Sequence, residues 1–194
     1  AVQCGHTHVV EALLEYGADI TRTVGPIRDG AGEGYTLLHY AAYSNHSDIA
    51  QLLLQHGADP DARDLVGSRG ARRGDGRTPL IEAVKCGNVD VMRLLLRSGA
   101  DPTICDSDGR SPLHEAAERG DGGMVETILS HSADVCSKDR SGITALHVAA
   151  YLGKEAVVQT LLAYKAMLTH TDSGGCTPFT RAKNQGHTSV VVFM

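Results

Sequence analysis

A period of 33 residues runs through this chain, and no other feature narrows its fold so far. Thr78-Pro79-Leu80-Ile81, Ser111-Pro112-Leu113-His114, Thr144-Ala145-Leu146-His147 and Thr177-Pro178-Phe179-Thr180 each begin 33 residues after the one before. Thr36-Leu37-Leu38-His39 is a further copy, 42 residues ahead of Thr78, so that interval holds nine extra residues. A fixed period of this length marks a repeat architecture. Each unit is one small supersecondary element that cannot bury its apolar faces alone and must lean on its neighbours.

A second landmark recurs with the first. Gly17-Ala18-Asp19, Gly57-Ala58-Asp59 and Gly99-Ala100-Asp101 each close a leucine-rich run, and Ser132-Ala133-Asp134 and Lys165-Ala166-Met167 are degenerate copies. Twelve residues separate Gly99 from Ser111 and Ser132 from Thr144, but 19 separate Gly17 from Thr36 and 21 separate Gly57 from Thr78. The extra residues therefore fall between the end of one unit and the start of the next, at about 21–33 and 68–76. Ala1-Val2-Gln3-Cys4-Gly5 matches Ala83-Val84-Lys85-Cys86-Gly87 at four of five positions, so the chain opens inside a copy.

Each unit has a physical reading. Thr or Ser followed by Pro is a helix N-cap with Pro at the first helical position, where its missing N–H costs nothing. A short helix such as Pro112 to Glu118 follows. Gly5, Gly87, Gly120, Gly153 and Gly186 suit the left-handed residue that ends it, and Asn45 takes that place once. A second helix follows, for example Val89 to Arg97, with Val91, Met92, Leu94, Leu95 and Leu96 as its apolar face. Gly-Ala-Asp then breaks that helix and turns toward the next Thr-Pro.

The Thr-Pro-Leu-His box, the Ala-Ala after it, the helix-ending Gly, the Leu-Leu pair and Gly-Ala-Asp together closely resemble the ankyrin repeat family, over nearly the whole chain. The resemblance implies an all-α ankyrin-repeat solenoid: stacked helix–turn–helix units with projecting β-hairpin or loop fingers. One repeat domain over 1–194 is expected, made of a partial repeat at 1–20, repeats at 34–63, 76–105, 109–138 and 142–171, and a truncated repeat at 175–194. Val190, Val191, Val192 and Phe193 stop where the pattern asks for another turn, so the chain reads as a fragment of a longer array.

Leu38, Leu80, Leu113 and Leu146 are expected to form one buried row, and Leu53, Leu95, Leu129 and Leu161 another. The resemblance implies that His39, His114 and His147 hydrogen-bond the Thr-Pro turn and neighbouring backbone. Three histidines a full repeat apart cannot surround one zinc ion, whose ligands meet at about 2 Å. The resemblance also implies that partners lie on the groove of fingers and first helices. Its candidate residues are Tyr35, Arg77, Arg110 and Ile143 on the fingers, Tyr40, Glu82, Glu115 and Val148 four residues after each cap, and Tyr43, Lys85, Glu118 and Tyr151 seven after. Arg181 and Asn184 extend the last two series. The groove reads as tyrosines, then an acidic centre at Glu82, Glu115 and Glu118, then Val148 and Tyr151. It suits a protein or peptide with apolar or aromatic anchors and a basic stretch between them. The competing reading makes the glutamates solvated surface.

Composition supports recognition over chemistry. With no Trp and two Phe, the core must be thin layers of Leu, Val, Ala and Ile. A formal net charge of −5 argues against a general nucleic-acid or anionic-membrane binder. Five cysteines, Cys4, Cys86, Cys105, Cys136 and Cys176, are an odd number without a C-x-x-C pair and read as reduced thiols of an intracellular protein, cytoplasmic or nuclear. No run is long enough to span a membrane. No catalytic motif, metal-ligand spacing or cofactor fingerprint stands out. Gly30-Ala31-Gly32-Glu33-Gly34 faintly resembles a phosphate loop but lacks its Lys-Ser/Thr and a preceding strand. Arg73-Gly74-Asp75 reads as coincidence. The expectation is a non-catalytic, monomeric adaptor or scaffold module. One alternative is a regulatory or substrate-docking segment of a larger enzyme or channel. A third is an RNA- or phospholipid-binding module acting through the arginine-rich loop Arg69–Arg77, against which stands a simple solvated loop.

Overall fold

The structure is a computed structural model that describes residues 1–23, 34–64 and 76–194. The described residues form eleven α-helices and no strand. They fall into two compact units, Ala1–Ser107 and Asp108–Met194.

The first unit holds α1 (Thr7–Glu15), α2 (Leu37–Tyr43), α3 (Ser47–Gln55), α4 (Pro79–Cys86) and α5 (Val89–Arg97). Here α2 packs on α4 in one layer, and α1, α3 and α5 pack in sequence in a second. The second unit holds α6 (Pro112–Arg119), α7 (Gly122–Ser130), α8 (Ala145–Tyr151), α9 (Glu155–Ala163), α10 (Pro178–Asn184) and α11 (Thr188–Phe193). Its layers are α6, α8 and α10 over α7, α9 and α11. In the first unit Leu38 and Leu80 are buried on the first helices and Leu53 and Leu95 on the second helices; in the second unit the same positions, Leu113 and Leu146, and Leu129 and Leu161, are buried too. Within each unit the expected leucines are core residues, each worth roughly 1.5–3 kcal/mol of burial.

The helix starts follow from the repeated box. Thr36, Thr78, Thr144 and Thr177 are extended at the N-cap, and the side chain of each accepts a hydrogen bond from the third helical residue. The stops follow from left-handed backbone. Gly153 has φ 67°, and a Cβ there would meet the His187 ring at 2.6 Å, so the next repeat's side chain lies directly over it. That imidazole reaches past Gly153 to the Tyr151 carbonyl at 2.9 Å. Asn88 does the same three repeats earlier, donating to the carbonyls of Ala42 (2.6 Å) and Tyr43 (3.1 Å).

Among the described residues, Asn45, Ser132 and Lys165 are the non-glycine residues with positive φ, at 57°, 69° and 65°. Ser132 and Lys165 stand where Gly17, Gly57 and Gly99 stand in other units, and a Cβ at those glycines would meet nothing within 4 Å. The side chains at 132 and 165 therefore bring left-handed strain with no packing that the register demands. Ser132→Gly and Lys165→Gly are each expected to stabilise the fold by about 1 kcal/mol, read from urea unfolding midpoints.

The fingers are tight turns closed by an aspartate. Asp139 N–H donates to the Ile143 carbonyl (2.9 Å) while Asp139 Oδ1 accepts from Ile143 N–H (2.9 Å). Asp172 and Cys176 repeat the exchange at 3.0 Å in both directions. Lys138 and Thr144 form an antiparallel bridge across one of these fingers. Asp64 and Arg77 make the same reciprocal pair, at 2.9 and 2.6 Å, across 13 residues instead of four. The second insertion is thus spliced into a finger whose neck keeps the standard closure. Residues 65–75 themselves lie outside the described residues, as does the first insertion between 24 and 33.

Candidate functional site

The recurrent histidines close each finger onto the helix before it. Thr36 N–H and Oγ1 both point to His39 Nδ1, at 3.3 and 2.9 Å, which makes Nδ1 an acceptor and puts the ring proton on Nε2. Nε2 then donates to the Arg77 carbonyl at 3.0 Å. His114 bonds Ser111 and the Ile143 carbonyl in the same way, and His147 bonds Thr144 and the Cys176 carbonyl. All three rings are buried. Burial lowers the pKa of each, that of His39 to about 4. These are neutral structural imidazoles. Among the described residues no group of three or more His, Cys, Asp or Glu could hold a metal ion. Among them, too, no helix is long and apolar enough to cross a membrane.

The expected face divides by register. Seven residues after each cap the side chains are open: Tyr43 and Tyr151 are each 44% exposed, and Lys85 and Glu118 are exposed. Four residues after the cap they are covered or half covered. Glu82 and Glu115 are buried and Val148 is half-buried, as is the finger residue Ile143.

Two of the tyrosines correct the picture of an open aromatic groove. Tyr35 and Tyr40 are each only 3% exposed. The Tyr35 ring stacks on His39 at 5.1 Å and meets Tyr40 edge-on at 5.4 Å. Burial, and then the negative charge of the Glu82 carboxylate, push the Tyr35 phenol well above its ordinary range. The Tyr40 hydroxyl is buried without a partner among the described residues. These two rings are core residues of the first unit.

The acidic centre is likewise compensated. Arg77 Nη1 lies 3.9 Å from Glu82 Oε2. Arg110 Nε donates to Glu115 Oε1 at 2.7 Å, and its Nη2 pairs with Glu118 Oε2. A finger arginine therefore neutralises the glutamate five residues ahead of it. Glu118 shares Arg110 with Glu115 but keeps 55% of its side chain open.

The sequence did not single out the pairing of Arg181 with Asp172. Arg181 Nε donates to Asp172 Oδ2 at 2.6 Å, and its guanidinium carbon lies 5.8 Å from the centre of the Tyr151 ring. Burial alone would raise the Asp172 carboxyl, but hydrogen bonds from Cys176, Arg181 and Gly174 hold it below the ordinary range. The usable signal was a basic residue at the fourth position after a cap, nine residues beyond the finger aspartate.

Comparison with known proteins agrees with this geometry. A family model described as ankyrin repeats matches three times, over residues 1–64, 65–139 and 123–194. The chain is similar to the BTB/POZ domain and ankyrin repeat-containing protein NH5.2 of Oryza sativa subsp. japonica, 44% identical over 68 residues, 34% of this chain and 13% of that protein. It is also similar to human protein phosphatase 1 regulatory subunit 27, 44% identical over 62 residues, 32% of this chain and 36% of that protein. A third relative is the human 2-5A-dependent ribonuclease, 40% identical over 68 residues, 35% of this chain and 8% of that protein. The matches thus span well under half the length of each relative. With helix pairs at the 33-residue period, fingers closed onto them by recurrent histidines, and a family match from the first residue to the last, this chain belongs to the ankyrin-repeat family.

Proposed function

We propose that this chain is a non-catalytic protein-interaction module whose partner lies on the open register of the first helices and their fingers. The observation that carries this reading is the pair Tyr43 and Tyr151. Each is a large aromatic side chain, 44% exposed, at the same position of a first helix. Each also has its backbone carbonyl tied down by the following repeat, through Asn88 and His187. A rigid, half-open tyrosine offers apolar area and a hydroxyl with little ordering cost, the profile of an interface anchor. Lys85 and Glu118 flank the same register. Glu82, Glu115 and Glu118 all pair with arginines, and of the three Glu118 is the exposed one, so a basic residue of the partner would meet the face there.

Affinity purification with the full chain followed by mass spectrometry identifies the partner, and calorimetry then measures its affinity. Tyr43→Ala and Tyr151→Ala are each expected to weaken that binding about tenfold, a hot-spot-sized loss, while thermal unfolding stays within a few degrees of wild type. Undiminished affinity in both variants would exclude this register as the contact surface.

A second reading is that the module is a regulatory or docking segment of a larger protein. It is favoured by the relatives, which include a phosphatase regulatory subunit and a ribonuclease whose matched stretch is 8% of its length. In that case the same surface serves an intramolecular or subunit contact. The reading of Arg69–Arg77 as an RNA or phospholipid grip falls almost wholly outside the described residues, and Arg77 itself faces Glu82.

A further inference from the structure

Arg181 occupies the fourth position after its cap, the register that Glu82 and Glu115 fill in earlier repeats, and the usual polarity is reversed there. An acid on the finger holds a base on the helix. The Asp172 side chain is 1% exposed and that of Arg181 is 29% exposed. Asp172 Oδ1 is taken by the N–H groups of Gly174 (2.8 Å) and Cys176 (3.0 Å), so the carboxylate is fixed, and its Oδ2 fixes Arg181 Nε at 2.6 Å. The Tyr151 ring, 5.8 Å from the guanidinium carbon, steadies the plane by cation–π attraction. Neither terminal nitrogen of Arg181 hydrogen-bonds any described residue. The result is a guanidinium anchored at one edge, supported on one face, and open at the two-nitrogen edge.

We propose that Arg181, held by Asp172 and Tyr151, is a receptor for the carboxylate side chain of an Asp or Glu in the partner segment. The carboxylate takes the Nη1–Nη2 edge in a two-pronged salt bridge, and the residue beside it packs on the open part of Tyr151. This inference rests on the interaction-module reading above. Planar guanidinium and planar carboxylate match bidentately, and an arginine already ordered by its own protein loses little freedom on binding. A singly charged carboxylate suits the site better than a phosphate. Asp172 already sets a full negative charge against the same guanidinium, leaving little net charge for a dianion.

The test selects a phage-displayed library of random dodecamers against the full chain, with no free peptide C-terminus on offer. Enriched sequences are synthesised with blocked ends and titrated by fluorescence anisotropy. Asp or Glu is expected to recur at one position, and its change to Asn or Gln should weaken binding about tenfold. Arg181→Gln should cost the same, without adding to the peptide change. Arg181→Lys, which keeps the Asp172 pair but loses the fork, should fall between, and it carries the test if Arg181→Gln proves unfolded by circular dichroism. Absence of an acidic position, additive losses, or tenfold tighter binding of a phosphoserine peptide each overturns the proposal. Peptides sensitive to Tyr43, Tyr151 or Glu118 substitutions yet indifferent to Arg181 sink the carboxylate receptor and leave the interaction face standing. A selection that returns no peptide, or only peptides indifferent to all four positions, sinks both.

Discussion

Leu146→Ala is expected to destabilise the chain by about 2–5 kcal/mol, enough to remove much of the stability of a typical domain. Leu146 has no exposed surface, and its helix α8 packs against α6 on one side, α10 on the other and α9 beneath. A repeat stack is stabilised by nearest-neighbour interfaces, so a cavity in α8 weakens two interfaces at once. The surrounding side chains are also pinned. His147, the next residue, is bonded to Thr144 and to the Cys176 carbonyl, which limits how far the helix can collapse into the void. Incomplete collapse places the cost toward the upper part of the range. Urea unfolding followed by circular dichroism measures it, with Val192→Ala as reference. Val192 is 83% exposed, so that change is expected to stay within about 0.5 kcal/mol of wild type. A loss below 1 kcal/mol for Leu146→Ala would mean that the row of first-helix leucines is not the core.

Much of this fold was legible because its determinants are local. The cap at Thr78 and the stop at Gly87 lie nine residues apart, and both follow from backbone chemistry that any copy of the box carries. The leucine rows were legible because one register, repeated, must face its own copies. The left-handed backbone at Asn45 was foreseen from the same alignment, whereas Ser132 and Lys165 adopt it against their own preference because the surrounding stack dictates the turn.

The face was legible only in outline. The period gives the position of a side chain along a first helix, but not what the neighbouring finger lays over it. Tyr40 and Tyr43 are three residues apart in one sequence run, yet one is core and the other half-open. The difference is made by Tyr35, whose ring stacks on His39 and covers Tyr40 edge-on. Charge was misjudged for a related reason. Glu82 and Glu115 looked like a free acidic patch because their partners, Arg77 and Arg110, were counted as separate finger residues and not as the groups that neutralise them.

The three buried imidazoles make the fold acid-labile in a defined window. His39 has a folded pKa of about 4, against an ordinary value of 6.5, because burial disfavours its charged form. His114 and His147 shift in the same direction for the same leading reason. Above pH 6.5 the rings are neutral in both folded and unfolded chains and the full stability is present. As pH falls below 6.5 the unfolded chain takes up protons first, so stability is lost until the folded imidazole also protonates near pH 4. For His39 alone this amounts to about 3 kcal/mol across the window. Protonation also converts Nδ1 from acceptor to donor opposite the Thr36 N–H, so that half of the α2 capping box is lost with the same proton. The expected result is a urea midpoint that is flat from pH 8 to 7 and drops steeply between pH 6.5 and 4.5, ahead of the titration of ordinary carboxylates. His39→Gln separates this cause from general acid effects. Gln is a natural partner at the third helical position of a capping box, so it can keep both the cap bond and a donor toward Arg77 while removing the titrating group. The variant should lose the His39 share of the drop and keep the rest. A midpoint that stays level to pH 4.5 in the wild-type chain, or an identical drop in the variant, would show that these rings are not held neutral by the folded structure.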